Sequence, residues 1–191
     1  MDRLILASGS PRRSELLRNA GIPFETDTPS VEEVSLASVA DSVVRNALLK
    51  AEAAAGSHPG CFILAADTLV SLDGQKFGKP RNEEDAFRMV RSLSGKTHQV
   101  YSGVAVISPD RQVFSGYDCS EVTFDRLSDK EILSYIRSGE PYDKAGAYAI
   151  QGRAGLWVKR LEGCPSSVIG LPLALVRSLL GLAGFRFEDF T

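Results

Sequence analysis

The chain has 191 residues, 43% of them hydrophobic and 24% charged, and its 22 basic and 24 acidic side chains leave a formal charge of −2. That length, 1–191, is enough to bury a full core as a single domain in one or two lobes, and the near-neutral balance offers no footprint for duplex DNA or RNA. Any affinity for phosphate must therefore be local, built from a few basic residues at one place. Cys61, Cys119 and Cys164 are far apart and lack ligand-like spacing, which argues against a disulfide framework or a zinc site and fits a reduced, cytoplasmic compartment. The first residues lack the features of a signal peptide, and no apolar run approaches the length of a membrane span.

Residues 4–17 read as a buried strand, a tight turn and the opening of a helix. Leu4 to Ala7 are apolar, Gly9 lets the backbone turn, Ser10 is a good N-cap, and Pro11 stands where the first helical residue belongs. The positive end of such a helix favours an anion, and Arg12 and Arg13 add two planar forks that match phosphate oxygens. Taken alone, Ser-Pro-Arg-Arg is more often an ordinary surface helix start with two solvated arginines, so the rest of the chain has to decide.

After this helix, which should end near Asn19-Ala20-Gly21, residues 24–28 make a second strand, and a polar loop carries Glu32 and Glu33 side by side. Residues 36–55 repeat apolar side chains at helical spacing and stop at Gly56, placing Lys50 near the C-terminal end, where dipole pairing would explain it. Residues 61–70 have the near-continuous apolar character of an interior strand, yet Asp67 lies within it. A carboxylate there either caps its own turn or is paired, hydrogen-bonded or metal-bound. Asp73-Gly74 is a strong hairpin signal that returns the chain to Gly78-Lys79-Pro80 and would bring Lys79 back beside Asp67.

Asn82 caps a third helix carrying Glu83, Glu84 and Asp85 in its first turn and ending near Ser94-Gly95. Gly95-Lys96-Thr97 invites comparison with a P-loop, but Val90 stands where that loop requires its first glycine. Residues 100–107 and 112–124 read as two long antiparallel strands, and Ser128 with Glu131 forms a capping box for the next helix. Residues 139–152 are a loop dense in small residues, suited to close backbone approach to a flat ligand. In it, Gln151 carries a donor and an acceptor that could read a base edge, or is a surface amide making turn bonds. A strand over 156–161 and a helix over about 171–182 complete an α/β pattern of mixed sheet flanked by helices.

The blocks Ser8-Gly9-Ser10-Pro11-Arg12-Arg13, Glu32-Glu33, Ala66-Asp67-Thr68, Gly78-Lys79-Pro80, Leu93-Ser94-Gly95-Lys96-Thr97-His98, Asp143-Lys144-Ala145-Gly146-Ala147-Tyr148 and Ile150-Gln151-Gly152 occur in an order that closely resembles the Maf family of nucleoside triphosphate pyrophosphatases. The resemblance runs from the first strand to Gly170-Leu171-Pro172. It implies an elongated mixed β-sheet with helices, of the Maf and ITPase-like kind, in two lobes with a central cleft. It also implies hydrolysis of a nucleoside triphosphate to monophosphate and pyrophosphate with a divalent metal, removal of non-standard nucleotides, inhibition of septum formation, and a homodimer. Within the family, Ala145-Gly146-Ala147-Tyr148 followed by Gln151 looks like the branch acting on dTTP and UTP. The 7-methyl-GTP branch usually has Glu where Gln151 stands. Arg12, Thr68 and Gln151 match the specificity positions.

The chemistry of such a cleavage needs a water aimed at the α phosphorus, a base for its proton, and positive charge on the departing pyrophosphate. The expected assignment makes Asp67 the base, with Glu33 and Asp67 also holding Mg²⁺ or Mn²⁺ and Glu32 a weaker candidate. Ser8, Arg12, Arg13, Lys50 and Lys79 would clamp the triphosphate; Thr68 and Gln151 would meet the pyrimidine. Two other readings stand beside it: a non-catalytic nucleotide-binding regulator, and a purine-selective housecleaning pyrophosphatase.

Overall fold

The structure, a computed structural model, describes residues 2–187. In chain order the elements are β1 (Leu4–Ala7), α1 (Pro11–Asn19), β2 (Glu25–Asp27), α2 (Val39–Ser57), β3 (Phe62–Leu72), β4 (Gln75–Phe77), α3 (Glu83–Leu93), β5 (Thr97–Ile107), β6 (Val113–Phe124) and α4 (Asp129–Ile136). Three 3-10 turns follow (Glu140–Asp143, Ala145–Ala147 and Arg153–Trp157), then β7 (Val158–Glu162), α5 (Pro165–Ile169) and α6 (Leu173–Leu182). The strands join one seven-stranded sheet in the order β2-β1-β3-β5-β6-β7, with β4 paired to β3. The mixed α/β class expected from the sequence is the class observed. No helix among the described residues is long and apolar enough to cross a membrane.

The chain divides into two compact units, the first made of residues 1–67, 102–118 and 170–191 and the second of 68–101 and 119–169. In the first unit β1 pairs in parallel with both β2 and β3, in the register Ile5↔Glu25 and Ile5↔Ile63. Parallel pairing follows from the connections, because α1 and α2 each carry the chain back to the starting edge. All four residues of β1 are buried, as expected for a strand covered on both faces. Alternation sends Leu4, Leu6, Phe62 and Leu64 into one cluster with Leu17, Val176 and Leu180, and Ile5, Ala7, Ile63 and Ala65 into another with Ala47, Ala51 and Ala54 of α2. The alanines let α2 lie close to the sheet. Gly103 of β5 completes that fit, for a Cβ there would stand 2.4 Å from the Val43 carbonyl group on the helix backbone.

Helix α2 begins at Val39, three residues later than its apolar pattern suggests, because Ser38 caps it by accepting the Asp41 N–H at 3.2 Å. It also runs past Gly56 to Ser57, so Lys50 sits well inside the helix and the dipole explanation for it fails.

In the second unit, Val70–Leu72 of β3 pairs antiparallel with β4 across the expected Asp73-Gly74 turn, both turn residues having positive φ (51° and 81°). Asn82 caps α3 through the Asp85 N–H at 2.8 Å, and Ser128 with Glu131 forms the full capping box of α4. Thr97 opens β5, not a helix, in keeping with the rejection of a P-loop. The core gathers Phe77, Val90, Leu93, Phe124, Ile132, Tyr135, Tyr148 and Trp157. His98 is wholly buried within it, its Nε2 2.7 Å from the Tyr148 hydroxyl and its ring edge-on to Phe124. The small residues of the 139–152 loop serve this packing. Gly146 has φ 68° and faces Val70, whose Cγ2 would lie 2.8 Å from a Cβ, while a Cβ at Gly152 would strike the Glu140 carboxylate. Two sequence expectations shift at the end of this unit. The strand starts at Val158 because Arg153–Trp157 coils into a 3-10 turn, and the short helix α5 has no apolar repeat that would have announced it.

Candidate active site

The strand–turn–helix at the start of the chain holds a small polar centre. Ser8, 8% exposed, accepts the Ser10 N–H at 3.2 Å and an Arg13 Nη1–H at 3.1 Å. Arg13 also donates through Nε to the Gly170 carbonyl at 2.8 Å, so its guanidinium is oriented by two fixed acceptors. Ser10 occupies the N-cap position with extended backbone angles, but its side chain makes no capping bond, and Pro11 follows at the first helical position. Burial pushes the Arg13 guanidinium down from its ordinary range; the negative fields of Asp67 and Glu33 oppose that shift and Arg12 adds to it. Arg13 therefore lies within electrostatic reach of Arg12, Glu33 and Asp67.

The acidic half is held by Asn46 and Lys50 of α2. Asp67, 5% exposed, closes the first unit's share of β3, and it does not cap its own turn: its Oδ1 accepts from Lys50 Nζ at 2.7 Å and its Oδ2 from Asn46 Nδ2 at 3.1 Å. The same Lys50 ammonium lies 2.7 Å from Glu33 Oε1. Two carboxylates that the chain keeps 34 positions apart thus meet on one cation. Their side chains differ in setting, Asp67 being 8% and Glu33 55% accessible, with Lys50 at 15%. Glu32 points to an exposed position on the same segment.

No group of three or more His, Cys, Asp or Glu side chains that could hold a metal ion occurs among the described residues. A divalent cation would draw on the Glu33 and Asp67 pair. Their oxygens converge on an ammonium that marks where positive charge is favoured, and two hard donors suit Mg²⁺ or Mn²⁺, which keep most of their coordination for water and phosphate oxygen. The residues present fit such an ion.

Of the residues singled out from sequence, Ser8, Arg12, Arg13, Glu33, Lys50 and Asp67 belong to the first unit and are brought together there by the bonds and fields above. Thr68, Lys79 and Gln151 belong to the second. Thr68 is half-buried on β3, Lys79 is exposed just beyond β4, and Gln151 is exposed in the turn closed by the Gly152 N–H on the Ala149 carbonyl at 3.2 Å. Sequence reasoning missed Asn46 and Ser42. Their signal was present, since Ser42, Asn46 and Lys50 recur every four residues and so share one face of a helix otherwise read for its apolar side.

A family model described as "Maf-like protein" matches residues 3–183. Two relatives named dTTP/UTP pyrophosphatase are similar along almost their whole length. The one from Bacillus mycoides (strain KBAB4) is 50% identical over 182 residues, covering 94% of this chain and 95% of the relative. The one from Bacillus cereus (strain G9842) is 48% identical over the same coverage. Among solved structures, the Ham1 protein of Staphylococcus aureus shares the fold with a TM-score of 0.54 at 15% identity, over 94% of this chain and 98% of that one. With its family pattern spanning residues 3–183 and 50% identity over 182 residues to a relative covered to 95%, this chain belongs to the Maf-like protein family.

Proposed function

We propose that this chain is a nucleoside triphosphate pyrophosphatase acting on dTTP and UTP in the cytoplasm, releasing the nucleoside monophosphate and pyrophosphate. The observation that carries the reading is the Lys50 ammonium held 2.7 Å from both Glu33 and Asp67, the two carboxylates whose fields also reach Arg13. Paired carboxylates beside a cluster of fixed cations are what an attack of water on a phosphoric anhydride requires. The naming of the two Bacillus relatives as dTTP/UTP pyrophosphatases supports the choice of substrate. Cys61 and Cys164 are free thiols, which supports a reducing compartment.

In this reading Asp67 accepts a proton from the water as its oxygen bonds to the α phosphorus. The bond from that phosphorus to the oxygen bridging to the β phosphate breaks, and that oxygen leaves with the pyrophosphate. Ser8, Arg12 and Arg13 bind the phosphate chain at the helix start, where donors fixed in advance need no reorganisation as charge develops. Lys50 holds both carboxylates in place and shares the neutralisation. Glu33 and Asp67 would hold Mg²⁺ or Mn²⁺, which when bound supplies charge neutralisation at the phosphate oxygens. Lys79 as a further phosphate ligand and Thr68 and Gln151 as the pyrimidine readers rest on the family resemblance of their motifs.

The deciding experiment offers the purified chain a panel of ribo- and deoxyribonucleoside triphosphates with Mg²⁺ or Mn²⁺ and follows monophosphate and pyrophosphate together. Equimolar release from dTTP and UTP, abolished in Asp67→Asn with the fold intact, is expected. Nucleotide binding without turnover would replace the reading with that of a regulator, and preferential cleavage of purine triphosphates would overturn the substrate assignment.

A further inference from the structure

We propose that Asn46 is a positioning residue that sets the Glu33 segment and the Asp67 carboxylate in register with one another, an inference that rests on the pyrophosphatase reading above. Asn46 is 3% exposed. Its Oδ1 accepts the Val34 N–H at 2.8 Å, and its Nδ2 donates to the Val34 carbonyl at 3.1 Å and to Asp67 Oδ2 at 3.1 Å. A carboxamide has two N–H donors and one carbonyl. The pair of hydrogen bonds to Val34 settles which end is which, because a flipped amide would set donor against donor at the Val34 N–H and acceptor against acceptor at its carbonyl. The remaining N–H then has to point at Asp67. One side chain therefore joins the residue next to Glu33 to the proposed base.

The segment it holds is tied to α2 through polar groups. Between β2 and α2 the chain has no regular structure from 28 to 38, and Val34 and Leu36 are 37% and 42% exposed, so apolar burial does not fix it. Polar clips from one face of α2 do. Ser42 accepts the Leu36 N–H at 2.9 Å, Asn46 takes both backbone groups of Val34, and Lys50 pairs with Glu33 at 2.7 Å, one helical turn apart each time. Asn46 is the member of the three that reaches a segment backbone and Asp67 together. Loss of its amide frees the Glu33 segment to drift against Asp67. Displacements of that kind lower the rate of a bound substrate's reaction more than its binding.

The test is Asn46→Ala, which opens room for water to reach Val34 and Asp67; Asn46→Ser serves if alanine does not fold. Initial rates with dTTP and Mg²⁺ are measured well below the unfolding midpoint, and amide hydrogen exchange is followed in the same full-length chain. The expected result is a kcat at least about tenfold lower with KM changed less than about threefold, and faster exchange at the Val34 N–H than at the Leu36 N–H, which Ser42 still holds. A kcat within about twofold of wild type, a loss that disappears on cooling in step with recovered stability, or unchanged Val34 exchange would each overturn the role. A wild type that releases no pyrophosphate from dTTP or UTP would overturn the activity itself. A normal wild type beside an unimpaired variant removes only Asn46.

Discussion

Lys50 and Asp67, 17 positions apart in sequence, form an ion pair of 2.7 Å with both side chains largely withdrawn from water, and the same ammonium serves Glu33. Removing one member of such a pair leaves a charge with poor solvation, whereas neutralising the other still leaves the lysine a partner. Lys50→Met is therefore expected to lower stability by roughly 3 kcal/mol and to reduce turnover at least about a hundredfold. Asp67→Asn should lose turnover as fully but keep most of its stability, since Lys50 retains Glu33. Denaturant titration beside initial rates separates the two, and equal destabilisation in both variants would contradict this account of the centre.

His98 gives a pH dependence with a definite sign. Burial pushes its imidazole down from 6.5 to about 4, so the folded chain keeps it neutral while the unfolded chain protonates it first. Between those values the unfolded state binds more protons, and stability falls as pH drops from about 6.5 to about 4, by roughly 3 kcal/mol in total. Carboxylates such as Asp85 and Glu131, whose charged forms are stabilised by hydrogen bonds, add their losses mainly below that window. Thermal midpoints measured every half unit of pH should show the slope in wild type and lose it in His98→Phe.

Gly103→Ala tests how closely α2 rests on the sheet. A Cβ at 2.4 Å from the Val43 carbonyl group meets backbone, which cannot step aside as a flexible side chain can. Overpacking of this kind should lower stability by about 3 kcal/mol and weaken activity as well, because the displaced helix carries Asn46 and Lys50. An unfolding midpoint within a degree or two of wild type would show that α2 shifts freely.

Gln151→Glu addresses the base preference. If this side chain reads the pyrimidine, exchanging its amide donor for a carboxylate leaves a substrate acceptor unpaired and should lower the kcat/KM ratio of dTTP to GTP at least about tenfold. An unchanged ratio would remove Gln151 from specificity. Its exposed place in the turn makes a large stability change unexpected.

Much of the fold was legible because it depends on local chemistry. The apolar run ahead of Gly9 and Pro11, the Asn82 cap, the Ser128–Glu131 box and the Asp73-Gly74 turn each involve groups within about four residues, and each forms as read. The carboxylates and cations of the site were legible as residue types in family motifs. Their partners were not: nothing local to Lys50 says that it bridges Glu33 and Asp67, and its position in the chain suggested a helix-end role, whereas it stands seven residues before the end of α2, outside the last turn.

By itself, then, the sequence determined most of the strands, turns and helices, though not the coil of Arg153–Trp157 or helix α5, and supplied the acids, cations and small residues. Tertiary structure decided the rest: that Asn46 faces Asp67, that Gly103 lies under Val43, and that His98 is sealed against Tyr148. The reason is one of range. Capping, turn and propensity effects act through bonds and dihedrals a few residues long, whereas these contacts exist only once strand register and helix packing have fixed which distant side chains share a space.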